Sequence, residues 1–150
     1  MHSSRKQLNR LGNLQKLYNT RIIVSEARYL EMKRKRDESA QNLREREATI
    51  SGLKQERTDL FRYLEKPQIA ETPYRVERMH ARRYWLEYDL EKDEYYMAMD
   101  RQDLEEAESN LLQARHEWMR ARKHQDLVDQ QYASKLRDVS RSNDRRETEE

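Results

Sequence analysis

The four histidines, at positions 2, 80, 116 and 124, are the first residues to test for chemistry. Residues 116–120 read His-Glu-Trp-Met-Arg, which begins like the helical HExxH motif of zinc proteases, but Arg120 stands where the second histidine is required. His116 and His124 are eight residues apart, about two helical turns. On a highly charged helix this pattern favours solvated side chains, and the chain has no cysteine. We therefore expect no metal site and no cofactor.

Catalytic motifs are missing elsewhere in the sequence. Gly12 and Gly52 are isolated, so they cannot form a glycine-rich phosphate loop. No pairing of a nucleophile with a base can be argued. The two-helix fold to which the pattern below leads also offers no concave, water-excluding pocket for acid–base catalysis. We expect a protein that is not an enzyme.

Basic residues are concentrated near both termini. Residues 1–28 carry a net charge of +5, and residues 112–137 carry +3. One interpretation is a solvated face, and the sharper one is docking onto an acidic surface or into an acidic channel. Nucleic acid is a weaker option, because few free aromatic rings lie there for base stacking. A membrane-surface helix is also disfavoured by the mixed charge and narrow apolar face.

Aromatic residues are concentrated near the middle of the chain. Eight of them lie between positions 61 and 96 and outside the apolar stripe described below: Phe61, Tyr63, Tyr74, Tyr84, Trp85, Tyr88, Tyr95 and Tyr96. Local stacking on long arginine stems would explain some of them. Exposed aromatic rings beside arginine also make binding hot spots. Both interpretations remain open for Phe61, Tyr63, Tyr74 and Trp85, whereas local packing is favoured for Tyr95 and Tyr96.

The composition indicates what kind of element must position these residues. Charged residues make up 40% of the 150 residues and hydrophobic ones only 35%, with two glycines and two prolines. This is too little apolar material for a thick core and too few turn formers for a many-stranded sheet. No apolar run is long enough for a membrane span, and the first twenty residues lack the apolar region of a secretory signal.

Apolar residues recur at alternating spacings of three and four along two arms, which we call the seam. In arm one 11 of 17 seam positions are apolar, and in arm two 14 of 19. A 3.5-residue repeat sustained over about eight heptads is the signature of a coiled coil. The seam of arm one is 8, 11, 15, 18, 22, 25, 29, 32, 36, 39, 43, 46, 50, 53, 57, 60 and 64. The seam of arm two is 76, 79, 83, 86, 90, 93, 97, 100, 104, 107, 111, 114, 118, 121, 125, 128, 132, 135 and 139.

Both prolines lie between the arms, at Pro67 and Pro73. Proline does not fit a helix interior, and Thr72-Pro73 reads as an N-cap followed by the first helical residue. The predicted organisation is arm one at 4–65, a connector at 66–73, arm two at 74–139 and a disordered tail at 140–150.

The arms could pair within one chain or between two parallel chains. A parallel homodimer would set Arg36, Arg46 and Arg57, and also Asp93 and Asp100, against their own copies. A hairpin instead brings the basic block at 33–46 beside the acidic block at 87–108. We therefore predict an all-α fold, a long antiparallel two-helix coiled-coil hairpin. The turn centre stays open between about residues 68 and 71.

The sequence resembles the FliJ/YscO (SctO) family of central stalk proteins in bacterial flagellar and virulence type III secretion. The resemblance lies in the length, the proline break between two heptad arms, the Met-His start, the Arg-Arg-Tyr-Trp-Leu stretch at 82–86 and the late helix at 118–123. It covers essentially the whole chain. It does not separate flagellar from virulence systems.

The resemblance implies a stalk whose end with both termini enters a hexameric secretion ATPase and whose tip faces the export gate. The ATPase-binding residues would be Arg10, Arg21, Arg120, Arg122 and Lys123. The gate-binding residues would be Phe61, Tyr63, Tyr74 and Trp85. Export chaperones are further expected partners. The protein would be a monomer when free, in the bacterial cytoplasm and peripheral to the inner-membrane secretion apparatus, without inserting into the membrane or binding nucleic acid.

Three other functions remain open at this point. The first is a generic dimeric coiled-coil scaffold. The second is a small export chaperone or adaptor that binds clients through its aromatic half. The third is a basic nucleic-acid-binding coiled coil, whose affinity would fall steeply with salt.

Overall fold

A computed structural model describes residues 2–66 and 73–149 of the chain. The described residues form two helices, α1 (His2–Leu64) and α2 (Pro73–Glu149), with no strand among them. The helices pack against each other as an antiparallel hairpin, which confirms the predicted fold class. The chain divides into two compact units. Unit 1 comprises Met1–Lys33 and Ser109–Glu150, and unit 2 comprises Arg34–Glu108.

The helix ends follow the local sequence. α1 ends at Leu64, where the Glu65 N–H donates to the Phe61 carbonyl and the Lys66 N–H to the Tyr63 carbonyl, which closes the last turn. α2 begins at Pro73, as expected for a proline at the first helical position. The predicted cap at Thr72 and the connector residues 67–72 lie outside the described residues.

Burial follows the predicted seam. All 17 seam positions of α1 are buried or half-buried, and of the 19 in α2 only Arg83 is exposed. The repeat therefore predicted the contact face of each helix almost residue by residue. This is expected when one narrow apolar stripe per helix supplies most of the packing.

The predicted disordered tail differs from the structure. α2 continues to Glu149, although every residue from 140 to 149 is exposed. No glycine or proline follows Pro73, and the tail is rich in Arg and Glu, which are good helix formers. The Thr148 hydroxyl donates to the Asp144 carbonyl at 3.1 Å. The helix propensity of these residues, rather than packing against α1, therefore accounts for the helical conformation of residues 140–149.

Unit 1 packs through small and aromatic residues. Its buried positions on α2 are Ala114, Ala121 and Val128. The Trp118 indole stacks on the Tyr29 ring with centroids 5.2 Å apart. The small alanines let the helices approach, and the stacked rings fill the wider layer between them.

Unit 2 combines an apolar core with charge buried in the seam. Ile50, Leu86 and Leu90 are buried, and Leu86 is completely inaccessible. Asp93 is also buried, and the Arg46 guanidinium donates to Asp93 at 3.1 Å and to Asp100 at 3.0 Å. The hydrogen bond to Asp100, more than any other cause, raises the pKa of Arg46 above its ordinary value. One cation therefore bridges two carboxylates on the facing helix.

Cross-helix partners define the register within each unit. The midpoint of each of four pairs is position 72, just above the range of about 68 to 71 expected from the sequence. In unit 1 these pairs are Gln15–Asp129 and Asn19–Gln125, and in unit 2 they are Arg57–Glu87 and Phe61–Arg83.

We predict that Arg46→Ala destabilises the protein by about 1–3 kcal/mol, because it leaves the buried Asp93 carboxylate without its partner. The matched control is Lys54→Ala, whose pair with Glu94 is 3.8 Å long and half exposed on both sides. The control should change stability by less than about 0.5 kcal/mol. Urea unfolding followed by circular dichroism measures both. Equal effects of the two variants would contradict a special role for Arg46.

We predict that spin labels at Thr20 and Arg120, both in unit 1, lie within about 25 Å of each other in a single molecule, since packed helix axes are about 8–10 Å apart. Double electron–electron resonance of labelled chain diluted with unlabelled chain measures this intramolecular distance. A substantially longer distance would contradict the antiparallel hairpin.

Candidate partner-binding surfaces

The two units differ in net charge. Unit 1 contains 16 basic and 10 acidic residues, a net charge of +6, and unit 2 contains 15 basic and 19 acidic residues, a net charge of −4. The whole-chain value of +2 conceals this division. Two units of opposite net charge attract different partners, and their charge also changes the rate at which those partners associate.

Four basic residues of unit 2 form ion pairs with carboxylates of the facing helix. In unit 2, the Arg82 guanidinium donates two hydrogen bonds, of 2.8 and 3.0 Å, to the Glu56 carboxylate, and these hydrogen bonds lower the pKa of Glu56. Arg46, Lys54 and Arg57 also pair with acidic residues across the seam. In unit 1, Arg28–Glu117 at 3.3 Å is such a cross-helix pair. Arg10, Arg120 and Lys123 have no ion pair within the described part of the chain. Their charge therefore remains available to a partner.

A shallow groove brings two of the predicted ATPase-binding residues together. Arg21 of α1 and Arg120 of α2 both line a groove of about 330 Å³ whose other walls include Tyr18, Val24 and Ala121. The Arg21 guanidinium also lies 5.3 Å from the centre of the Tyr18 ring. An apolar floor between two arginines suits an acidic segment that carries a hydrophobic side chain.

The other predicted basic residues lie apart from that groove. Arg10 lines a second groove, of about 660 Å³, with Leu11, Leu127 and Lys135. Arg122 lies over the Trp118 ring at 5.3 Å, and Lys123 is exposed. Residues two apart on a helix do not share a face, so Arg120 and Arg122 project in different directions. The five basic residues thus form a distributed surface rather than one pocket.

His124 lies beside an aromatic ring of the facing helix. The His124 ring makes an edge contact with Tyr18 at 5.6 Å. No group of three or more possible metal ligands occurs among the described residues. The Trp118 indole Nε1 is buried without a hydrogen-bond partner in the described chain. The stacking of the Trp118 ring on Tyr29 offsets the free-energy cost of this unpaired N–H.

The predicted gate-binding aromatics have two different environments. Phe61 and Tyr63 are half-buried, and the Arg83 guanidinium lies 4.2 Å from the centre of the Phe61 ring. Tyr74 and Trp85 are exposed, with 72% and 54% of their surface accessible. Local packing therefore explains much of Phe61 and Tyr63 but not Tyr74 or Trp85.

Trp85 belongs to an exposed aromatic group on α2. Its ring makes edge contacts with Tyr84 at 5.7 Å and with Tyr88 at 5.8 Å. Tyr95 and Tyr96 contact each other at 5.6 Å, and Arg46 lies over Tyr96 at 5.2 Å. These contacts agree with the local packing expected for Tyr95 and Tyr96, yet 66% of Tyr95 remains exposed.

A second three–four repeat on α2 contains most of these rings, and the sequence analysis missed it. We call it the outer stripe: Tyr74, Arg78, Ala81, Trp85, Tyr88, Lys92, Tyr95 and Met99, all exposed. The seam lies in the same residue range with an equally regular phase. A search for a second apolar phase in arm two would have found the stripe.

Comparison with protein-family models, with curated proteins and with solved structures finds no match to this chain. No stretch of either helix, within the described residues, combines the length and hydropathy needed to cross a bilayer. Fold and surface together place the protein in the class of all-α helical hairpins. Its distinguishing features are a basic surface in unit 1 and an exposed aromatic stripe in unit 2.

Proposed function

We propose that this protein is a non-enzymatic central stalk of a bacterial type III secretion ATPase complex. The end of the hairpin that holds both termini inserts into the hexameric ATPase, and the hairpin tip contacts the cytoplasmic domain of the export gate. The protein works in the bacterial cytoplasm, peripheral to the inner-membrane secretion apparatus, and promotes protein export.

The observation that carries the proposal is the division of charge and aromatic surface between the units. Unit 1, which contains both termini, has a net charge of +6 and arginines without ion-pair partners. Unit 2, which contains both segments flanking the connector, has a net charge of −4 and the exposed rings. A protein that couples two different partners needs two chemically different surfaces, and these supply them.

The mechanism follows from those surfaces. Unpaired arginines such as Arg10 and Arg120 attract an acidic ring lumen from a distance, and this attraction weakens as salt screens it. Once the partner lies against unit 1, the groove between Arg21 and Arg120 adds apolar contact to this electrostatic attraction. The hairpin contributes no catalytic group. Its role is to bind ring and gate at once and to promote assembly of the hexamer.

We predict that Arg120→Glu combined with Arg122→Glu abolishes binding to the secretion ATPase, because it reverses the charge of two exposed positions in unit 1. A pull-down with the purified ATPase at low salt measures binding, and circular dichroism should show unchanged helicity. The matched control, Arg62→Glu with Arg75→Glu, makes the same charge change at two exposed positions of unit 2 and should bind normally. Binding by the unit 1 variant would count against the proposed ring contact.

We predict that Phe61→Ala combined with Trp85→Ala leaves ATPase binding unchanged and blocks export. The physical reason is the loss of two aromatic anchors in unit 2, whereas the basic residues of unit 1 are unchanged. Secretion of native export substrates by a complemented deletion strain is the measurement. A matched control is Ile23→Ala with Leu30→Ala, two exposed apolar residues of unit 1. Normal export by the variant that lacks the Phe61 and Trp85 rings would contradict the proposed contact between the hairpin tip and the export gate.

An export chaperone or adaptor is the second candidate, favoured by the exposed aromatic rings of the outer stripe. It differs from the stalk in its expected binding pattern. An adaptor binds several unrelated export substrates through unit 2 and does not need the basic surface. A stalk binds the ATPase through unit 1, so the Arg120/Arg122 variant separates these two functions.

A further inference from the structure

The outer stripe lies on the side of α2 that faces away from α1. At 100° per residue, its mean direction is roughly 160° from that of the seam over the same residues. Exposure agrees with this geometry. Leu86 in the seam is completely buried, whereas its neighbour Trp85 in the outer stripe is 54% exposed. In unit 2, α2 therefore has two apolar faces and uses one of them within the chain.

The spacing of the stripe indicates what kind of element would cover it. Residues at 74, 78, 81, 85, 88, 92, 95 and 99 alternate in steps of four and three, the repeat with which one helix packs along another. A flat or irregular partner surface needs no such phase. The stripe is thus suited to a helix that lies nearly parallel or antiparallel to α2.

We propose that this helix is α2 of a second copy of the chain, packed antiparallel across a two-fold axis. Parallel pairing would place Lys92 against Lys92 and Arg78 against Arg78, and like charges in a seam are penalised. Antiparallel pairing about a centre between residues 93 and 94 removes both clashes. It places Lys92 of each copy against Tyr95 of the other, where an ammonium group and a ring attract each other.

The remaining layers of this register are also compatible. Tyr88 faces Met99, and Trp85 faces Gln102, each twice by symmetry. Methionine sulfur packs well against aromatic rings. The glutamine amide can lie at the edge of the indole and remain hydrated. Each copy therefore supplies to the other the same group of aromatic, thioether and cationic side chains.

Flanking charges select this register over its neighbour. At the chosen centre Arg82 of one copy faces Glu105 of the other, and Glu91 faces Tyr96, so these flanking positions bring no like charges together. A shift to a centre at residue 90, one heptad step in pairing, would place Glu91 of each copy opposite Asp89 of the other. Electrostatics thus favour the centre at 93–94, because like charges directly opposite cost energy and opposite charges guide alignment.

The available area sets the strength of the contact. Large aromatic side chains present about 150–250 Å² each when fully exposed. The three rings inside the paired layers, Trp85, Tyr88 and Tyr95, therefore offer roughly 700 Å² in total across two copies, below the range of stable specific interfaces. The expected dimer is consequently weak and concentration-dependent. Each chain keeps its own hairpin in this dimer, unlike in the parallel dimer considered from the sequence, and the inference does not rest on the proposed function.

Sedimentation velocity of the full chain, from about 1 to 500 μM, tests the proposal over the range expected for an interface of this size. We expect a monomer–dimer equilibrium. Trp85→Ala with Tyr95→Ala should weaken it at least tenfold without loss of helicity, because both side chains are exposed. Met119→Ala with Leu127→Ala, exposed positions on the same helix but outside the stripe, should leave it unchanged. A wild-type monomer at every concentration, or a dimer indifferent to the stripe variant, would overturn the proposal.

Cysteine cross-linking tests the orientation, since the chain has no cysteine of its own. Tyr88→Cys chains mixed with Met99→Cys chains, one of them tagged, should yield the mixed disulfide dimer as the main product under mild oxidation. Each variant alone should cross-link poorly, because positions 88 of the two copies are about 16 Å apart along the axis. Efficient cross-linking of either variant to itself would indicate a parallel pairing and would overturn the antiparallel arrangement.

Discussion

The Arg46 guanidinium, held between Asp93 and Asp100, is the interaction on which the register of unit 2 depends. Asp93 is buried in the seam, where an unpaired carboxylate would be costly, and Arg46 satisfies it from the facing helix. Leucine layers alone tolerate a slip of one heptad, because each leucine then meets another apolar residue. A slip here would leave a buried charge alone. Polar groups in the seam therefore specify the alignment more than they add stability.

Scarcity of apolar side chains explains the rest of the architecture. With 35% hydrophobic residues, the chain can cover one narrow stripe on each helix and little more. It places nearly all seam residues in that contact. The outer stripe on α2 is the exception, because its tyrosines and Trp85 remain exposed although they have a regular helical phase. Tyrosine and tryptophan suit an exposed position, since the tyrosine hydroxyl and the indole N–H stay hydrated while the ring faces remain available for packing.

Charge is distributed on a different principle from apolar surface. Unit 2 uses several of its cations in ion pairs across the seam, such as Arg82–Glu56 and Arg46–Asp93, and its net charge of −4 comes from its excess of acidic residues. Unit 1 leaves Arg10, Arg120 and Lys123 without an ion pair among its described residues. The proposed ATPase contact and the proposed self-association draw on separate surfaces as a result. One uses the unpaired cations of unit 1, and the other uses the outer face of α2 in unit 2.

The sequence by itself determined the helices, their break between Leu64 and Pro73 and the seam residues, because a 3.5-residue repeat and proline sterics act locally. It also located the basic and aromatic segments, which are properties of composition. Only the tertiary structure decided that Phe61 lies under Arg83 while Trp85 stays exposed, since both are aromatic residues in the same part of the chain. The register and the spatial separation of Arg10 from Arg120 likewise required the packed helices. Each depends on which side chains meet across the seam, and a one-dimensional pattern leaves several such pairings equally good.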